Sequence, residues 1–123
     1  ICTNSGLCTL AFTIHMSLLG ETGLRRLALL NHEAALKTRD AVAALPGVEV
    51  LTPRFFNEFA VRLPKNASEV VDQLAERGVL AGVPYGRLNP GAGMDDVLLI
   101  AATEITTDAH IQALADGLRE VLS

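Results

Sequence analysis

The sequence predicts an α/β (α+β) domain in which a three-stranded, mainly antiparallel sheet carries helices on one face and is preceded by N-terminal helices. The first observation is a continuous apolar run at residues 97–102. A run of that length is short for a helix and is typical of a strand buried on both faces, or nearly so. The second is the apolar and polar alternation over residues 58–63, and the third is the helical spacing of apolar residues between 107 and 122. We therefore place residues 97–102 in the middle of the sheet.

Two helices are predicted at the N-terminus. Apolar residues between positions 7 and 18 recur at helical spacing, with Asn4 or Ser5 available as the N-cap and Gly20 as the C-terminal stop. Because apolar side chains lie almost all round this first helix, we expect it to be largely buried. The second helix begins near Glu21 and ends at the Pro46-Gly47 turn, with its charged residues toward solvent.

Three further elements follow in the middle of the chain. Residues 48–51 are predicted as a short edge strand, because Pro53 prevents extension as a central strand. Residues 59–63 form a half-buried strand. Asn66 followed by Glu69 is a capping-box variant that opens a helix, and Gly78 ends that helix.

The remaining strands complete an open sheet of the split β-α-β type. Residues 79–83 are predicted as a strand, and glycine- and proline-rich residues 84–93 make an irregular connection into residues 97–102. A right-handed crossover joins strands 59–63 and 79–83, and the strand at 97–102 lies antiparallel between them. Thr107 or Asp108 caps the last helix.

Length, composition and charge bound the function classes. The chain has 123 residues and 50% hydrophobic content, which is enough for one domain over residues 1–123. It opens at Ile1 without an initiator Met, so we expect it to be a piece of a longer polypeptide. The net charge of -4, with both signs interspersed, argues against a nucleic-acid or anionic-membrane surface. No apolar run reaches the roughly 18 residues of a membrane span. We expect a cytoplasmic protein.

No metal site is predicted. His15, His32 and His110 are scattered without the spacing of metal ligands, which favours packing or surface roles. Cys2 and Cys8 are too few for a disulfide framework, and no further ligands accompany them. We expect both cysteines as reduced thiols.

No catalytic residue is predicted either. Asp95 and Asp96 are adjacent, so in a strand they point to opposite faces, and a solvated loop end is the better interpretation. The two lysines, Lys37 and Lys65, lie on the polar side of a helix and directly after a proline that ends a strand. Neither position has the desolvated setting that activates an amine. The sequence thus offers no nucleophile, base or Schiff-base lysine.

Several motifs resemble one family. At Ile1-Cys2-Thr3-Asn4-Ser5-Gly6-Leu7-Cys8, continuing into Ser17-Leu18-Leu19-Gly20-Glu21-Thr22-Gly23-Leu24, the chain resembles the first, or alpha, subunit of the two-subunit glycine cleavage system P-protein (glycine dehydrogenase, decarboxylating). Three later segments resemble the C-terminal part of that family in the same order: Asn57-Glu58-Phe59-Ala60-Val61, Gly82-Val83-Pro84-Tyr85-Gly86-Arg87 and Leu98-Leu99-Ile100-Ala101-Ala102-Thr103-Glu104. The likeness covers nearly the whole chain.

The resemblance implies the small C-terminal domain of a fold-type-I, aminotransferase-like assembly that depends on pyridoxal phosphate. Such an assembly decarboxylates glycine and passes the aminomethyl group to the lipoyl arm of the H-protein. The resemblance also implies that the beta subunit carries the Schiff-base lysine and binds the cofactor, so this piece is expected to hold none and to be inactive alone. Thr3 and Asn4 are expected either to line the cofactor cleft or only to cap the first helix.

Two other functions stay open at this point. The first is a stand-alone ferredoxin-like regulatory or interaction module, against which the long N-terminal helices count. The second is the small domain of another pyridoxal phosphate enzyme such as a cysteine desulfurase, against which Asp96-Val97 counts, because a carboxylate-binding arginine is usual there.

The first helix also predicts self-association. If this domain is cut from a larger subunit, apolar side chains of that helix become exposed, and a monomer rarely tolerates a large open apolar patch. We therefore expect the isolated chain to associate with itself through its N-terminal helices.

Overall fold

The computed structural model describes residues 5–123. Its helices and strands run in the order α1 (Gly6–Ala43), β1 (Glu49–Val50), β2 (Glu58–Arg62), α2 (Ala67–Glu76), β3 (Val83–Pro84), α3 (Tyr85–Leu88), β4 (Val97–Ala101) and α4 (Asp108–Leu122). The strands form one four-stranded sheet in the order β1-β2-β4-β3, and each neighbouring pair is antiparallel. The predicted fold class is confirmed, and β1 is the short edge strand expected at 48–51.

Strand β4 lies inside the sheet, as predicted, with β2 on one side and β3 on the other. The expectation that it is buried on both faces is wrong at two positions. Leu98 and Ile100 are buried, whereas Leu99 is half-buried and Ala101 is exposed. The helices cover the face that carries Leu98 and Ile100, so the opposite face stays open at Leu99 and Ala101.

The strand predicted at residues 79–83 is much shorter in the structure. Only Val83 and Pro84 pair with β4. The backbone N–H of Val79 donates instead to the Leu74 carbonyl at the end of α2, which holds the start of this segment away from the ladder. Gly82 has φ of +146°, and an added Cβ there would lie 2.1 Å from the Leu99 carbonyl oxygen. The close approach of the two backbones therefore requires glycine.

The two helices predicted at the N-terminus are both present and meet at a kink at Gly20, and the label α1 covers both. Gly20 has φ of 59° and ψ of -171°, a backbone region that is essentially restricted to glycine. The predicted stop is therefore a kink between a distal segment, residues 6–19, and a proximal segment, residues 21–43. The short helix α3 was not predicted, because its residues lie within a glycine- and proline-rich connection.

The expectation of a largely buried first helix is wrong for the described chain. The distal segment has no buried residue, and α1 contacts the core through four buried residues of the proximal segment: Ala34, Ala35, Thr38 and Val42. At 1.5 Å per residue the distal segment extends about 21 Å beyond the kink. Contrary to the expectation from the sequence, α1 is long and apolar enough to cross a membrane by length and composition alone, a test that core helices of soluble proteins and signal sequences also pass. None of its most apolar window is buried in the described chain.

The core lies between the covered face of the sheet and three helices, which are α2, α4 and the proximal segment of α1. Its largest fully buried aliphatic side chains come from β2 and the residue after it, from β4, and from α1, α2 and α4: Leu63, Leu74, Leu98, Leu118, Val42, Val61 and Val70. Phe59, Val61 and Leu63 are all buried, which confirms the alternation predicted for β2.

Two helix starts follow the sequence signals. The Asn66 side chain accepts hydrogen bonds from the backbone N–H groups of Ser68 and Glu69 at the start of α2. Thr107 caps α4, and its hydroxyl oxygen accepts from the backbone N–H of His110. The His110 ring in turn accepts from the backbone N–H of Thr107 and completes a capping box.

The unequal faces of β4 lead to a stability prediction. Replacing Leu98, which is 0% exposed, by alanine is expected to lower the free energy of unfolding by about 2–5 kcal/mol, because the smaller side chain leaves a cavity in the core. Leu99→Ala on the open face should cost less than half as much. Urea unfolding of both variants is the measurement, and equal losses would show that both faces of β4 are buried.

Candidate functional site

The two predicted cofactor-binding residues, Thr3 and Asn4, lie outside the described residues 5–123, and so does Cys2. Their place beside a cofactor cleft stays a prediction. Cys8 is a free and exposed cysteine on the distal segment.

Both lysines are hydrogen-bonded to oxygen atoms. The Lys37 ammonium lies 3.1 Å from the Asp108 carboxylate, in a pair whose two side chains are largely exposed. The Lys65 ammonium donates to the backbone carbonyls of Val121 and Ser123 at the end of α4, at 2.7 and 3.0 Å. Carbonyl groups at a helix end are natural acceptors for a cation, so Lys65 serves as a helix-end contact.

The histidines and acidic residues lie in structural or surface positions. His15 is exposed on the distal segment, and among residues 5–123 no group of three or more His, Cys, Asp or Glu side chains is placed to hold a metal ion. Asp95 is exposed, whereas Asp96 is half-buried and lies 3.2 Å from Arg62. Arg62 also pairs with Glu49 at 2.9 Å, so Asp96 joins a network across β1, β2 and the start of β4.

The distal segment carries a large apolar surface. Its most exposed large apolar side chains are Leu7, Leu10, Phe12, Ile14 and Leu18. The hydroxyls of Thr9, Thr13 and Ser17 each donate to the carbonyl four residues earlier, at 3.1, 2.9 and 2.7 Å. Because these hydroxyls are satisfied within the helix, they add little desolvation cost when the segment is covered.

A second surface lies where the proximal segment of α1 meets the loop before β2. We call it the arginine-rimmed groove. It is an open groove of about 750 Å³ that is lined by Arg25, Ala28, Leu29, His32, Arg54, Phe55 and Phe56. Its lining is mainly apolar, with one guanidinium from each wall.

His32 fixes the shape of this groove. Its Nδ1 lies 2.7 Å from the Phe56 carbonyl oxygen, which identifies Nδ1 as the protonated nitrogen, because a carbonyl accepts but does not donate. The His32 and Phe56 rings are stacked with an angle of 8° between their planes. Phe55 meets the His32 ring edge-on, with centroids 6.1 Å apart, and packs on Phe59, with centroids 5.1 Å apart.

A third surface is the open face of the sheet, where a groove of about 370 Å³ lies over β2, β3 and β4. Val83 and Leu88 line it and are both exposed. Glu58 is its one acidic lining residue.

The fold belongs to the aminotransferase-like class. The aminotransferase TlmJ from Streptoalloteichus hindustanus matches 83% of this chain and 34% of its own chain, with a TM-score of 0.61 at 16% identity. At that identity the likeness shows the fold alone.

Three further comparisons add the family. A probable glycine dehydrogenase (decarboxylating) subunit 1 from Caulobacter sp. (strain K31) is 66% identical over 123 residues, which are 100% of this chain and 27% of the relative. A crystal structure of glycine decarboxylase (P-protein) of the glycine cleavage system, in inhibitor-bound form, matches 99% of this chain and 27% of its own, with a TM-score of 0.88 at 39% identity. The sequence model of the glycine cleavage system P-protein matches residues 1–118. The chain belongs to the glycine cleavage system P-protein family and spans about a quarter of the length of the curated relatives it matches.

Sequence reasoning missed the arginine-rimmed groove. Arg25, Leu29 and His32 have the i, i+4, i+7 spacing of one helix face, and this was the available signal. The other wall comes from residues 54–56, and no local pattern shows that they fold against the proximal segment.

The His32 contact leads to a second prediction. His32→Phe keeps an aromatic ring but removes the hydrogen bond to the Phe56 carbonyl, and it should lower the free energy of unfolding by about 0.5–1.5 kcal/mol. Amide hydrogen exchange in residues 54–57 should accelerate. His15→Phe, at an exposed position, is the matched control and should change neither quantity. Unchanged exchange in the His32 variant would show that the loop is held by other contacts.

Proposed function

We propose that this chain forms part of subunit 1 of a glycine dehydrogenase (decarboxylating), the P-protein of the glycine cleavage system. In this proposal the whole assembly decarboxylates glycine with pyridoxal phosphate and transfers the aminomethyl group to the lipoyl H-protein. The observation that carries the proposal is the family match over residues 1–118, supported by 66% identity to a relative named for this activity.

Within that assembly, the part formed by this chain is structural and interface-forming. Residues 5–123 do not fit pyridoxal phosphate as a covalent site, because Lys37 is paired with an exposed carboxylate and Lys65 contacts the end of α4. The cofactor, which supplies the electron sink for decarboxylation when bound, is assigned in this proposal to the companion, or beta, subunit. The proposed location of the assembly is the cytoplasm.

The alternative functions receive less support. A stand-alone ferredoxin-like module does not account for a family match that spans residues 1–118, nor for the long α1. A cysteine desulfurase domain has only the general aminotransferase-like fold in its favour, because neighbours of that fold match at low identity.

The activity is tested with the longer polypeptide that contains this sequence. Subunit 1 and its companion, mixed with pyridoxal phosphate and lipoylated H-protein, should release labelled carbon dioxide from carboxyl-labelled glycine. Neither subunit alone should do so. The absence of release from the mixture, when a known P-protein is active under the same conditions, would refute the proposal.

The cofactor assignment leads to a separate prediction. After incubation with equimolar pyridoxal phosphate and reduction with borohydride, Lys37 and Lys65 should carry no more adduct than N-acetyl-lysine methyl ester under the same conditions. The physical reason is that an internal aldimine needs an activated amine in a fitted pocket. Mass spectrometry of tryptic peptides gives the yield. Preferential labelling of either lysine would overturn the assignment.

We also propose that the isolated chain associates with itself through its distal segment. The distal segment exposes large apolar side chains, among them Leu10 and Ile14. Each one left in water loses on the order of 1.5–3 kcal/mol of stabilising free energy compared with a buried one. Sedimentation at micromolar concentration should therefore show dimers or larger species, and Leu10→Gln with Ile14→Gln should shift them toward monomer. Leu80→Gln is the control, since Leu80 is 92% exposed outside α1. A monomeric wild-type chain would contradict the proposal.

A further inference from the structure

The arginine-rimmed groove is already shaped in the chain alone. Arg25, Leu29 and His32 form the helix wall, and Arg54 and Phe56 belong to the loop wall. The hydrogen bond from His32 and the stacked rings connect the two walls. Binding to a surface that is fixed in advance costs less ordering entropy than binding to a mobile loop.

The charge of the groove is one-sided. Among residues 5–123 no carboxylate lines it, although the chain as a whole has a net charge of -4. Arg25 pairs with Glu21 at 2.9 Å, but both side chains are more than three-quarters exposed, and such pairs contribute little. Arg54 is exposed and makes no ion pair within the part of the chain that the structure describes. A complementary partner surface would present carboxylates around an apolar side chain.

The composition of the groove differs from that of the distal segment. Aromatic and arginine side chains around an apolar floor are enriched at interfaces between separately folded proteins. The distal segment contains no Asp, Glu, Lys or Arg, and its three bonded hydroxyls are satisfied within the helix. That composition is typical of a protein interior, whereas the groove is typical of a docking surface.

We infer that the arginine-rimmed groove docks the companion subunit of the glycine dehydrogenase, through an acidic surface segment that surrounds an apolar side chain. This inference rests on the proposed function, which supplies the companion subunit. The apolar side chain contacts Leu29 and Phe56, and the flanking carboxylates pair with Arg25 and Arg54. Partial exclusion of water around the rim strengthens the Coulombic attraction within each pair, and the cost of desolvating the charges opposes this gain.

The test uses full-length subunit 1 and the companion subunit, with the dissociation constant measured by surface plasmon resonance. Arg54→Glu and Phe56→Ser should each weaken association by about tenfold or more. Arg54→Glu reverses the charge at the rim, and Phe56→Ser removes an apolar ring from the loop wall. Arg54→Lys keeps the charge and should retain most of the affinity. Arg26→Glu is the matched control, because Arg26 is an exposed neighbour on α1 that does not line the groove.

Salt dependence gives a second readout. Wild-type association should weaken as ionic strength rises, and Arg54→Gln should weaken less steeply because one screened attraction is missing. Equal slopes for the two proteins would contradict the acidic character of the partner segment.

The remaining outcomes separate the two hypotheses. Wild-type binding that Arg54→Glu and Phe56→Ser leave unchanged would overturn the docking site and leave the proposed function standing. No binding by wild-type subunit 1 would overturn both. Phe56 protected from hydroxyl-radical oxidation in subunit 1 alone, as a monomer, would show that its own chain covers the groove. Loss of subunit 1 self-association in Arg54→Glu, with companion binding unchanged, would assign the groove to a second copy.

Discussion

The pairing of β2 with β4 is the interaction on which the rest of this structure depends. Its register places Phe59 opposite Ile100 and Val61 opposite Leu98, so four apolar side chains meet on one face of the sheet. That shared face is what α2, α4 and the proximal segment of α1 cover. A shift of one residue in this register would turn the same side chains to the open face and leave the helices without a common surface.

The hydrophobic core does not cover every apolar part of the described chain. Three apolar surfaces therefore remain exposed: the distal segment, the arginine-rimmed groove and the open face of the sheet. The buried residues of α1 begin at Ala34, so the distal segment beyond the kink at Gly20 lies outside the core, and the groove lies on the proximal segment. The open face of the sheet is exposed for a different reason, because no helix of the described chain covers Leu99 and Ala101.

The chemistry proposed for the full assembly fits a division of labour between parts. Within residues 5–123, three side chains of types that often perform catalysis have structural partners. Lys65 contacts the end of α4, His110 closes a capping box, and His32 holds a loop. Each of these three side chains makes at least one hydrogen bond that holds a helix end or a loop in place.

The sequence by itself determined the type and order of the main elements, because periods of 2 and 3.6 report which side chains of one element share a face. It also determined the break at Gly20 and the cap at Asn66, since both depend on residues that are neighbours in the chain. Only the tertiary structure decided that residues 79–82 leave the ladder, that the distal segment is exposed, and that His32 meets Phe56. These outcomes depend on contacts between distant residues, and the periodicity of a single element carries no information about which distant segment comes to lie beside it.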